Sequence, residues 1–140
     1  MTPSWLEWQN PRELCRCNLV YMSLRDFLQC YIDDVYTARN PDAARNYIAD
    51  PCLRHEHGHL VTMSIEENVA RVRDFLALAS TTQFDNVVLV DDGAHVVSAY
   101  NITFGDGNAV QTVSGVEIFR VVDGKITETW NSSAQPGAWG

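Results

Sequence analysis

The sequence predicts an α+β fold in which three N-terminal helices cover one face of an antiparallel sheet. Two observations carry this expectation. Apolar residues recur at helical spacing through the first half of the chain, and from Thr82 onward the period changes to two, in runs separated by short turns. Parallel βαβ units would interleave helices and strands, whereas here the helices come first and the strands follow.

The first helix opens at Ser23, with Asp26 three residues on as a capping partner. Leu24, Phe27, Leu28, Tyr31, Ile32 and Val35 then repeat at i, i+3, i+4, i+7, i+8 and i+11, which is one long amphipathic helix. Asn40-Pro41 ends it and starts a shorter helix carrying Ala44, Tyr47 and Ile48 on one face, which Pro51 terminates. Residues 52–57 alternate between Pro51 and Gly58 and read as a short strand. Ser64-Ile65-Glu66-Glu67 fits a capping box for a third helix, with Ile65, Val69, Val72, Phe75, Leu76 and Ala79 as its buried stripe. Four strands follow at 83–90, 95–104, 110–122 and 125–130. The turns between them are Asp91-Asp92-Gly93, Gly105-Asp106-Gly107 and Asp123-Gly124, the chemistry of successive hairpins.

At 140 residues, 46% hydrophobic and 20% charged, the chain is sized for one domain with a sizeable core. Residues 1–22 lack a clean period and read as an N-terminal extension. A net charge of -8 leaves nucleic-acid binding without its electrostatic term, and it disfavours anionic membranes. Neither a signal-peptide pattern nor a membrane-length apolar run is visible, so the expected setting is the cytoplasm. Cys15, Cys17, Cys30 and Cys52 include no C-x-x-C pair, and free thiols are expected in that compartment.

The element order, and the stretch Ser114-Gly115-Val116-Glu117-Ile118-Phe119-Arg120-Val121-Val122-Asp123-Gly124-Lys125-Ile126 followed by Trp130, resemble the SnoaL-like polyketide cyclases. These belong with ketosteroid isomerase in the nuclear transport factor 2-like superfamily. The resemblance spans residues 23–134, leaving 135–140 as a C-terminal tail. It implies a conical barrel, open at one end, with a pocket for a small apolar molecule, and a homodimer. Members include cyclases, isomerases, dehydratases, epoxide hydrolases and binding proteins, so the fold alone assigns no chemistry.

Among candidate functional residues, Glu117 stands out because it interrupts an apolar strand, where burial raises a carboxyl pKa and suits a proton carrier. The resemblance puts it where the cyclases carry a catalytic histidine. Asn131 falls at their second catalytic position, where they have an aspartate; an amide is no base at neutral pH. The segment Arg54-His55-Glu56-His57-Gly58-His59 holds the densest titratable cluster. It matches the H-E-x-x-H zinc-protease pattern in letters, although Pro51 and Gly58 argue against the helix that pattern needs.

As a strand, the segment sets His55 and His57 on one face and Arg54 and Glu56 on the other. The histidine face is preferred as the pocket wall, because Leu53 accompanies it and histidine titrates near working pH. The resemblance to ketosteroid isomerase instead puts a general base at Glu56. It also puts Ile32 where that enzyme carries an oxyanion tyrosine, with Tyr36 one turn beyond as the nearest hydroxyl. Tyr100, Asn101 and Trp130 are further lining candidates, and alternation admits only one of Tyr100 and Asn101.

The reading that follows is a cofactor-free isomerase, cyclase or lyase acting by proton transfer on a small apolar carbonyl compound of polyketide, terpenoid or steroid type. His55 or His57 is its expected base and Glu117 its proton donor. No G-x-G-x-x-G fingerprint points to a redox cofactor, and no metal is expected. The alternatives are a non-catalytic binding or dimerisation module and a metal hydrolase or hydratase using His55 and His57.

Overall fold

A computed structural model describes residues 22–140; the N-terminal extension, apart from Met22, lies outside the described residues. Helix α1 spans Leu24–Tyr31, and the Ser23 hydroxyl accepts a hydrogen bond from the Asp26 amide at 3.1 Å, satisfying one orphan donor. The apolar stripe is what buries: Leu28 and Val35 are fully inaccessible and Phe27 is 2% exposed. The helix does not stay α. Over Ile32–Thr37 it widens into a π-helix, with the Ala38 amide bonding the Asp33 carbonyl five residues back. That winding brings side chains five apart together, so the hydroxyls of Tyr31 and Tyr36 meet at 3.5 Å.

A short 3₁₀ helix, Pro41–Asn46, follows with proline in its first turn. The short second helix expected to run to Pro51 ends here instead. Strand β1 occupies Ile48–Glu56, running through Pro51, and pairs antiparallel with β2, His59–Met63, across the Gly58 turn. Strand β2 is absent from the sequence reading because four of its five residues are exposed, so it carries no in-out alternation. Helix α2, Ile65–Leu76, has the expected capping box, with reciprocal Ser64 and Glu67 hydrogen bonds of 3.1 and 2.7 Å.

The four-strand meander appears as β3 (Thr81–Asp91), β4 (His95–Asp106), β5 (Ala109–Val122) and β6 (Lys125–Asn131), with a two-residue β7 at Gln135–Pro136. The strand order is β2-β1-β6-β5-β4-β3. All neighbours are antiparallel except β1 and β6, which run parallel. The sheet curves around the helices and leaves its two edges unjoined, so the cone is unclosed. Segment 135–140 is bonded to the sheet: Trp139 Nε1 donates to the Gly115 carbonyl at 3.1 Å and its amide to Asn101 Oδ1 at 2.8 Å.

Arg39, at φ 51°, donates through Nη2 to the carbonyls of Leu76 and Ala79 at 2.7 and 2.9 Å, capping the end of α2 from the end of the π-helix. Arg39→Ala is expected to cost about 1–2 kcal/mol, read as a lower urea midpoint. Cys52 is a buried free thiol, whereas Cys30 is disulfide-bonded, which corrects the expectation of four free thiols. Among the described residues no helix is long and apolar enough to cross a membrane.

Candidate active site

Strand alternation along β5 turns Glu117 and Phe119 toward the helices and Ile118 and Arg120 away from them. Register then fixes the neighbours of Glu117: Ser98 lies opposite on β4 and Asn131 opposite on β6. These strands and the helices enclose a two-chambered cavity. The outer chamber, about 300 Å³, is bounded by Tyr36, Arg54, Phe84, Tyr100 and Asn131. An inner chamber of about 50 Å³ reaches Leu28, Tyr31 and Asn86. Glu117 and Arg71 line both. Aromatic rings make up much of the wall, with Tyr36 and Phe84 centred 4.6 Å apart and Phe84 and Tyr100 6.4 Å apart.

The Glu117 side chain is 18% exposed, and its Oε1 lies 3.8 Å from Arg54 Nη1. Burial pushes its carboxyl above the usual range; Arg54, Arg71 and Asn131 pull the other way without cancelling the effect. Burial, with Tyr36 beside it, raises the Tyr31 phenol well above its ordinary value, and burial followed by the Glu117 charge raises that of Tyr100. Both stay protonated at neutral pH and serve as hydroxyl donors.

The histidine face of β1 turns out of the cavity. Cys52, 2% exposed, and Arg54 occupy the inner face, so alternation directs His55 to the outer face of the sheet. There its ring stacks on Trp130 at 5.0 Å and 2°, and its Nε2 lies 3.1 Å from Glu128 Oε2. The Arg120 guanidinium sits 5.4 Å from the Trp130 ring. His55 and Trp130 therefore do not line the cavity. Leu53, the residue that favoured the histidine face, is out-competed by buried Cys52.

His57, in the turn beyond β1, is exposed but borders the outer chamber, as does Glu56, whose Oε1 lies 3.4 Å from Arg54 Nε. Tyr36 and Tyr100 face the cavity. Asn101 faces away, bonded to Trp139. Glu56 and His59 pair across the β1–β2 turn, so the H-E-x-x-H letters lie on a hairpin and not on a helix. Among the described residues no three His, Cys, Asp or Glu side chains converge as a metal-ligand set, which the hydrolase alternative needs.

Residues 28–129 match the family described as SnoaL-like domain. The chain belongs to the SnoaL-like family. No curated protein matches it. Solved structures similar to this SnoaL-like chain include a candidate polyketide cyclase from Acidithiobacillus ferrooxidans, 20% identical with a TM-score of 0.69, covering 79% of this chain and 88% of that one. A SnoaL-like polyketide cyclase from Agrobacterium tumefaciens is 15% identical, with a TM-score of 0.66 over 81% and 92% of the two chains. A nuclear transport factor 2-like protein of unknown function from Cytophaga hutchinsonii is 11% identical, with a TM-score of 0.60 over 81% and 100%. At such identities the likeness shows the fold, the nuclear transport factor 2-like one.

Within this SnoaL-like cavity, sequence reasoning missed Arg54, Arg71 and Tyr31. Arg71 follows Asn68 by three residues and precedes Phe75 by four, a second inward row on α2 that helical spacing offered. Tyr31 was absorbed into the core stripe, and only the π-helix reveals its hydroxyl beside that of Tyr36. Gly115 has a positional role as well: a Cβ there would lie 2.5 Å from Tyr100 Oη. Gly115→Val is expected to displace the Tyr100 ring and cost about 1–3 kcal/mol. Adding Tyr100→Ala should recover part of that loss in a urea double-mutant cycle; strict additivity would show that the two positions do not touch.

Proposed function

We propose that this SnoaL-like protein is a cofactor-free cyclase or isomerase that moves protons on a small carbonyl compound of polyketide, terpenoid or steroid type. One observation carries the reading: Glu117 is a buried carboxyl with a raised pKa, projecting into a cavity walled by aromatic rings and phenolic hydroxyls. Glu117 takes the base role that the sequence reading gave to histidine, since His55 is stacked on the outer face.

In this mechanism the Glu117 carboxylate removes a proton from the carbon beside the carbonyl, and the electron pair moves to the carbonyl oxygen as an enolate. The raised pKa narrows the gap to the carbon acid. The hydroxyls of Tyr31, Tyr36 and Tyr100 are the candidate donors to the enolate oxygen. Isomerisation ends when protonated Glu117 returns the proton to a different carbon. Ring closure ends when the enolate carbon attacks a second carbonyl and the resulting alkoxide takes the proton. His57 and Glu56, at the mouth of the outer chamber, are proposed to orient the entering substrate, and Asn131 to position Glu117.

Homodimerisation in the cytoplasm belongs to the same proposal, supported by the Trp130, His55 and Arg120 cluster on the outer sheet face; sedimentation equilibrium tests it.

The chemistry is tested by incubating the protein with 2-tetralone in deuterium oxide and following loss of the α-proton signals by NMR. Exchange well above the buffer rate, abolished in Glu117→Gln, is the expected result. Exchange at the buffer rate, or unchanged exchange in the variant, counts against the assignment.

A further inference from the structure

Three buried side-chain polar atoms lack a well-aligned hydrogen-bond partner among the described residues: Arg71 Nε, Thr129 Oγ1 and Asn131 Nδ2, the last still close enough to Glu117 to lower its carboxyl pKa. All three residues line the one two-chambered cavity. Buried polar groups are nearly always paired, so three orphans gathered at one void mark a place where a ligand completes the hydrogen bonding. Two of the three atoms can only donate, which calls for acceptor oxygens on the ligand.

Charge gives the same direction. Arg54, with a side chain 12% exposed, has Glu117 at 3.8 Å and Glu56 at 3.4 Å. Arg71 projects from α2 into both chambers; the Glu117 charge reaches it, but no carboxylate oxygen among the described residues lies within 4.0 Å of its guanidinium. The inner chamber sets Arg54 and Arg71 against Glu117 alone, and Glu56, bound to Arg54, joins them only in the outer one, so Arg71 is the guanidinium left without a carboxylate in contact, in a chain whose net charge is -8. A desolvated guanidinium with no carboxylate in direct contact is costly, and its planar fork matches a carboxylate in bidentate geometry. The rest of the wall is apolar: Leu28, Phe75, Phe84 and Ile102 suit a ring body.

We propose that the substrate is an apolar ring compound bearing a carboxylate, with that carboxylate held between Arg71 and Arg54. The inference takes from the acid-base reading only that this cavity is the site. It adds a class, the carboxylated carbonyl compound, and gives Arg71 the role of specificity determinant.

The test is titration calorimetry of the full chain at pH 7.5 with 2-naphthoate and its neutral isostere 2-naphthamide. Naphthoate is expected to bind at least about ten-fold more tightly, in line with a charge-assisted pair. Arg71→Met should erase that preference, bringing the two affinities within about two-fold of each other, as expected for the loss of a charge contact. Arg71→Lys, which keeps the charge without the fork, should retain part of it. Equal affinity of the two probes for the wild-type protein, no binding of either at millimolar concentration, or a preference that survives Arg71→Met would each overturn the inference. Failure here with 2-tetralone exchange intact removes the carboxylate and leaves the proton chemistry standing; naphthoate preference without exchange does the reverse.

Discussion

Glu117→Gln is expected to lower the proton-transfer rate by about 10²–10⁴-fold, the usual contribution of a positioned acid or base, while making the protein more stable at neutral pH. Both effects have one cause. Burial disfavours the ionised carboxylate in the folded chain, and Arg54 and Arg71 offset this only in part, so the folded pKa lies above the unfolded one. Below about pH 4 the carboxyl is protonated in both states and contributes no difference. As pH rises past the unfolded pKa, the unfolded chain releases the proton while the folded chain keeps it, and stability falls. The loss is complete once pH passes the folded pKa, at about 1.4 kcal/mol for each unit of upward shift.

Glutamine resembles the protonated form and carries no such dependence. Urea unfolding of both proteins from pH 4 to pH 8 should therefore show curves that coincide at the acid end and diverge upward for the variant. Parallel curves would mean that Glu117 titrates as if exposed, and the proton-carrier role would go with it. An activity loss combined with a stability gain is the signature of a group held in an unfavourable state for chemistry.

The difference between Glu117 and His55 shows what was legible in the sequence. Glu117 could be read because one charged residue interrupts an apolar strand, a signal that needs no knowledge of the neighbours. The side that β1 turns inward depends on its register against β6, and that register shifts between Ile48 and Leu53. A one-residue offset exchanges the faces, and local pattern cannot detect it. With Cys52 small and apolar and Leu53 large and apolar, composition favoured the wrong face. The helices were legible through spacing and caps; the π-helix was not, because its apolar residues fit α spacing equally well. Arg71 illustrates a further limit. A lone arginine on a helix reads as surface until the strands across from it are known, and only then does its place beside Glu117 in the cavity acquire meaning.

Leu28→Ala is expected to cost about 2–5 kcal/mol, because the side chain is fully inaccessible and its removal leaves a void that close-packed neighbours fill only in part. Leu28 sits on α1, between Phe27, which packs edge-on against Tyr47 with ring centroids 5.5 Å apart, and the inner chamber it borders. The void therefore opens into a space that already exists, and the helix loses a contact that holds it to the sheet. With a urea dependence of about 1–3 kcal/mol per molar, a 3 kcal/mol loss moves the midpoint by about 1–3 M. Leu28→Met conserves volume and should cost under about 1.5 kcal/mol. Leu60→Ala, at a leucine 59% exposed on β2, should stay within about 0.5 kcal/mol. If the alanine variants at 28 and 60 cost the same, α1 is not docked through its predicted stripe, and the chamber wall that presents Tyr31 and Tyr36 to Glu117 has no rigid support.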